Sequence, residues 1–226
     1  MEPEFITYQK FNDAALAAEL TAILDGNHIE YLIQEETSGF DPSFVMSNAA
    51  VDYAVKIKGK DFEKVNQLLV ENEERRLDEV DKDYYLFTFT NDELMEVITK
   101  ADEWSVFDVV LARKILTDRG DEITKEKLSE ISEHRIEDLK TPEKKQTIWI
   151  LVGYAIALSG ILLPIFLIFV GVFIGWHLFS YKKTLPDGER VYGYTERDRW
   201  HGRCIFYLSI VVFLASLIYL IFIRNT

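Results

Sequence analysis

The pattern of apolar and polar positions divides the chain into a mixed head and an apolar tail. In the head, Phe5-Ile-Thr-Tyr-Gln-Lys-Phe11 is rich in β-formers and predicts a first strand. Asn12 is then expected as a helix N-cap. Leu16, Leu20, Ile23 and Leu24 mark one face of that helix, and Asp25-Gly26-Asn27 ends it. Ile29 to Gln34 predicts a second strand. Asp52 to Lys58 predicts a third, with Tyr53, Val55 and Ile57 on one face. Phe62, Val65, Leu68 and Leu69 mark a second helix, and Tyr84 to Phe89, alternating through Tyr85, Phe87 and Phe89, predicts a fourth strand. The order is βαββαβ, the ferredoxin-like split βαβ unit with two helices on one face of an antiparallel sheet. Its expected core is Leu16, Leu20, Ile23, Val55, Ile57, Val65, Leu68 and Phe87.

Helices follow. Thr90-x-x-Glu93 is a capping box for a short helix near 91–100. Ser105 caps another that ends at Arg119-Gly120, and Thr124 opens a charged third near 124–139. Pro142 ends the run. The expected fold class is therefore α+β: a ferredoxin-like head (1–90), a helical extension and stalk (91–146), and an α-helical membrane domain (147–226).

The tail carries two uncharged stretches. Cys204 to Ile223 has 20 residues, enough for one crossing of about 30 Å of hydrocarbon. Ile148 to Phe179 has 32, which would reach about 48 Å as one helix. Either that segment is one long tilted helix, or it folds back near Gly160–Pro164 as a hairpin. The positive-inside rule favours the hairpin, which places the basic loop between the segments on the same side as the head. Trp149, Trp176 and Trp200 suit the two interfaces, and Gly171-x-x-x-Gly175 suits close helix approach.

Charge sharpens this division. Residues 1–140 hold 16 Lys+Arg against 33 Asp+Glu, a net −17, whereas residues 141–226 hold 9 against 5, a net +4. A head at −17 repels phosphate backbones, so no nucleic acid is expected as a partner. A single cysteine, Cys204, excludes an intramolecular disulfide and a Cys-rich zinc site. Met1-Glu-Pro-Glu carries no basic, apolar leader, so the head is expected in the cytoplasm.

The strand, the capped helix, Leu24-Asp-Gly-Asn-His-Ile29-Glu-Tyr-Leu-Ile33, Val55-Lys-Ile57 and the helix opening Asp61-Phe-Glu-Lys-Val65 together resemble the putative prokaryotic signal-transducing domain. That domain has no known function and is likened to the PII regulators. The resemblance covers about residues 4–72. It implies a ferredoxin-like fold, a regulatory role and a bacterial inner-membrane setting for the whole chain, and it supplies no catalytic or ligand residues. The tail loop, with Lys182-Lys-Thr-Leu-Pro-Asp-Gly188, also resembles loops of acidic bacterial membrane proteins that carry such a head.

Two loops are candidate sites. Glu35–Ala50 is long for a strand connection and carries Phe40, Phe44, Val45 and Met46. These either form a partner contact or fold back to cap the sheet. Ser180–Arg203 carries Lys182, Lys183, Arg190, Arg197, Arg199 and Arg203, which suit anionic headgroups or the acidic head, or act only as a topology signal. Pro186-Asp-Gly188 is a turn signal there. His201-x-x-Cys204 and His177 match no zinc pattern, and neither a metal nor a cofactor is expected. No nucleophile elbow, phosphate loop or HExxH is present. The expected function is non-enzymatic: a membrane-anchored cytoplasmic regulatory or adaptor protein binding a protein or small ligand. An accessory or structural subunit of a membrane complex is the alternative, and an enzyme with an unrecognised site the third reading.

Overall fold

A computed structural model describes residues 4–37, 51–77, 80–159 and 167–224. The chain is α+β and divides into two compact units, one of residues 1–138 with 184–189, the other of residues 139–183 with 190–226.

The first unit opens with β1 (Phe5–Phe11), α1 (Ala14–Gly26), β2 (Tyr31–Thr37) and β3 (Val51–Lys58). β3 lies between β1 and β2 and is antiparallel to both. Its alternation places Val55 and Ile57 against Ala17, Leu20 and Leu24 of α1 and Phe62 and Val65 of α2 (Phe62–Glu74). The cap of α1 is Asp13 and not Asn12: the Asp13 carboxylate accepts the Ala15 N–H at 2.8 Å. The buried face of the helix is Ala17, Leu20, Thr21 and Leu24, while Leu16 is 45% exposed. At about 100° per residue, Leu16 falls to one side of the 17, 20, 21, 24 stripe.

The expected fourth strand does not form. Residues Tyr85–Thr88 make a 3-10 turn, closed by Phe87 N–H to Tyr84 O and Phe89 N–H to Leu86 O. The carbonyls that a strand would offer to a neighbour are taken by a cation: Arg119 donates to Phe89 O at 2.8 Å and to Phe87 O at 3.2 Å. The inward residue is consequently Leu86, fully buried, and Phe87 is exposed.

Leu86 belongs to a second core, built by α3 (Asn91–Thr99) and α4 (Val106–Asp118) from Leu94, Val97, Leu111, Ile115 and Leu116. The Thr90–Glu93 capping box is formed as expected. Asp108, almost buried, accepts from Ser105 Oγ at 2.6 Å and from Tyr84 OH at 2.8 Å, which ties the 3-10 turn to the start of α4. Gly120, at φ +90°, lets the chain leave α4, with Asp121 N–H reaching back to Leu116 O. α5 (Lys125–Lys140) buries no residue fully; Leu128 packs against the second core, and Arg135 makes paired bonds of 2.7 and 2.8 Å to Asp102 and a third of 2.6 Å to Glu103.

The second unit contains α6 (Thr147–Ser159), α7 (Leu167–Ser180), the hairpin strands β4 (Lys182–Thr184) and β5 (Arg190–Tyr192), and α8 (Glu196–Arg224). Gly153 lies beside Ile174, and Gly171 beside Ala157, so α6 and α7 run antiparallel. The turn expected at Gly160–Pro164 lies outside the described residues. The described parts of α6 and α7 span 13 and 14 residues, about 20 Å each. Among the described residues one helix, over Glu196–Ile218, is long and apolar enough to cross a membrane by length and composition.

Two outcomes are expected. Leu20→Ala should destabilise the first unit by about 2–5 kcal/mol and Leu16→Ala by about 0.5 kcal/mol or less, read from thermal unfolding. Arg135 holds the Asp102 carboxyl below the ordinary carboxylate range. The attraction is therefore complete at neutral pH and is lost as pH falls below about 4. Protease cleavage within α5 should accelerate over that interval, and Arg135→Met should make it fast at every pH.

Candidate functional site

The most fully built site in the first unit is a cradle formed by β1 and the β3–α2 junction. β1 is irregular: Thr7 pairs with Lys56 and Gln9 with Val55, so Tyr8 is an extra residue in the ladder. Such a bulge re-aims the side chain it releases. Tyr8 packs edge-on against Phe62, with ring centroids 5.1 Å apart, and its hydroxyl donates to Asn66 Oδ1 at 2.7 Å. Burial pushes the Tyr8 pKa up, so it stays a neutral donor. β3 passes into α2 through a 3-10 turn, Gly59–Asp61, that presents Gly59 beside Ile6. Phe62, Val65, Asn66 and Leu69 follow at helical spacing, so Asn66 is a polar position in an apolar stripe.

The occupant is the turn Leu185–Glu189, which belongs to this same unit. Gly188 N–H closes on Leu185 O at 2.9 Å, Leu185 N–H on Glu189 O at 2.8 Å, and Asp187 Oδ1 accepts Glu189 N–H at 2.9 Å. With Tyr8 engaging its Oδ1, Asn66 turns its amide NH2 outward and donates to Pro186 O at 3.0 Å. Leu185 is 3% exposed. Gly188 has φ +84°, and a Cβ there would lie 2.6 Å from Gly59 O and 2.8 Å from the Phe62 ring. The site recognises the backbone of a glycine-closed turn. The Asn66–Pro186 hydrogen bond by itself contributes about 0.5–1.5 kcal/mol.

Phe40, Phe44, Val45 and Met46 lie outside the described residues. The contacts that seat the turn in the cradle include the Asn66–Pro186 hydrogen bond and the close fit of Gly188. Lys182 and Arg199 sit over the Tyr192 ring, at 4.9 and 3.8 Å. Lys183 donates to Thr141 O at 2.8 Å, and Arg197 and Arg203 are exposed. Arg190 closes the hairpin as the first residue of β5. The turn itself was readable as Pro186-Asp-Gly188. The cradle was not, although Asn66 inside an apolar stripe was a signal for it.

In the second unit, His177 Nε2 lies 3.1 Å from Tyr194 OH and His201 Nδ1 lies 3.2 Å from Tyr154 OH. His201 thus pairs with a tyrosine, and among the described residues no group of three metal-ligating side chains converges. Burial, reinforced by the Glu143 charge, raises the Tyr194 pKa. In the first unit an open cleft of about 450 Å³ beside α3 is lined by Asn91, Asp92, Met95, Asp121, Ile123 and Lys127. Asn91 already engages Asp121 across it.

No family model, no curated protein and no solved structure matches this chain.

Gly188→Ala should lower the unfolding temperature of the first unit by several degrees, because a left-handed residue with a Cβ costs about 1–2 kcal/mol before its collision with Gly59. Gly26→Ala, with nothing within 4 Å of the added atom, should leave it unchanged. Calorimetry on the full chain in detergent checks both.

Proposed function

We propose that this chain is a membrane-anchored regulatory or adaptor protein whose acidic head faces the cytoplasm at a bacterial inner membrane and binds a protein or small ligand there. The observation that carries the anchor is the inverted surface of the second unit. Its helices meet through small residues: a Cβ at Gly175 would lie 2.5 Å from Phe206 N, one at Gly202 2.7 Å from Leu178 Cβ, and one at Gly171 2.6 Å from Ser209 Oγ. Ile148, Leu151, Phe169, Phe173, Val211 and Ile218 point outward, each 59–75% exposed. A surface of that kind aggregates in water and is at ease in lipid, where small-residue seams are the usual means of helix association.

In this reading α8 crosses the bilayer once, and the α6–α7 pair enters and returns on the side of the head. The basic loop then lies with the head. The reading of the head as a PII-like regulator draws on the resemblance of residues 4–72 and on its strand order. β1 and β2 run parallel on either side of β3, with α1 crossing between them, as in the first part of a split βαβ unit. Two folded cores without a catalytic motif suit a binding module.

The chain should resist alkaline extraction from membranes. In a Cys204→Ser background, Arg197→Cys should be silent to an impermeant thiol reagent in intact cells and react after lysis. Position 197 is exposed, whereas Gly188 has no room for a side chain. Labelling in intact cells would put the loop outside and overturn the re-entrant arrangement.

A further inference from the structure

The cradle has the marks of a receptor and not of ordinary core packing. Its specificity is held by two groups prepared in advance. Tyr8, displaced from the β1 ladder, fixes Asn66, and the Asn66 amide donates to a backbone carbonyl that any turn can offer. The Gly59–Phe62 floor admits a turn only where its closing residue lacks a Cβ. The leucine that opens the turn is itself buried, 3% exposed. These are requirements on a Leu-Pro-Asp-Gly-type β-turn, and little in them depends on the rest of the tail. The resident turn reaches the cradle from far away in sequence, Pro186 lying 120 residues from Asn66.

We propose that the Tyr8–Phe62–Asn66 cradle is a β-turn receptor, that Leu185–Gly188 is its resident occupant, and that a partner protein carrying an equivalent leucine-opened, glycine-closed turn engages the head by displacing it. The proposal rests on the regulatory reading of the head and supplies its partner chemistry and its control. A tethered ligand competes at an effective concentration in the millimolar range, so the resident turn holds the receptor closed to weak or dilute turns and yields to an abundant or tighter one. The exchange is backbone-directed, so it should be nearly indifferent to salt.

The test uses the full chain in detergent and a fluorescent cyclic peptide carrying residues 182–192. A chain whose residues 185–189 are replaced by Gly and Ser should bind the peptide saturably, at least about tenfold more tightly than the wild-type chain does. A peptide with Gly188→Val should not bind, and Asn66→Leu in the open chain should abolish capture of the normal peptide. If the replaced chain fails to give a cooperative unfolding transition, Gly188→Val in the full chain opens the same cradle and is used in its place. Absence of binding by a folded open chain, equal binding by open and wild-type chains, or binding insensitive to Asn66→Leu each overturns the receptor. A wild-type dimer that Gly188→Val dissociates would assign the exchange to a second copy of this chain and overturn the partner. Peptide binding by a chain that proves extractable from membranes would keep the receptor and reject the anchor.

Discussion

Close approach of one backbone to another, possible only where a side chain is missing, organises both units of this protein. In the first, Gly188 reaches Gly59 with no space for a methyl group between them. In the second, Gly175 and Gly202 bring α7 and α8 together, and Gly153 admits the side chain of Ile205. The two solutions differ in how polar groups are satisfied. Around the cradle, polar groups on Tyr8 and Asn66 satisfy the carbonyl that the approach would otherwise strand. Along the helix seam the backbone bonds are internal to each helix, Tyr154 OH and His201 Nδ1 link α6 to α8, and among the described residues Ser209 Oγ is buried without a partner.

What could be read in the sequence followed from strong local signals. The alternation Tyr53, Val55, Ile57 fixed the central strand, the Thr90–Glu93 pair fixed the start of α3, and Gly120 fixed the end of α4. The errors arose where a distant group overrode a local pattern. Tyr85, Phe87 and Phe89 alternate like a strand, yet Arg119, thirty residues away, claims the Phe89 carbonyl and the segment coils into a 3-10 turn. Asn12 and Asp13 are both good caps, and only the carboxylate meets the Ala15 N–H. The turn at Pro186 was legible as a turn, and its seat was not, because nothing in local periodicity links Tyr8 and Asn66 to a residue 120 positions on.

The charge asymmetry of the chain acts at a coarser level than the cradle. A head at −17 is kept from anionic surfaces, while the loop between α7 and α8 holds its cations on aromatic and carbonyl groups, as with Arg199 on Tyr192 and Lys183 on Thr141. Pairing of this kind orients Lys182, Lys183 and Arg199 without cancelling their charge.

The bulge at Tyr8 has a consequence for how the protein behaves in a crowded cell. Among the described residues β1 lies at the rim of a three-stranded sheet, where unpaired amides and carbonyls invite a foreign strand. An extra residue in mid-strand interrupts the regular spacing that a second chain would need in order to zip along that rim. The same residue that prepares the cradle therefore also guards the sheet against self-templated aggregation.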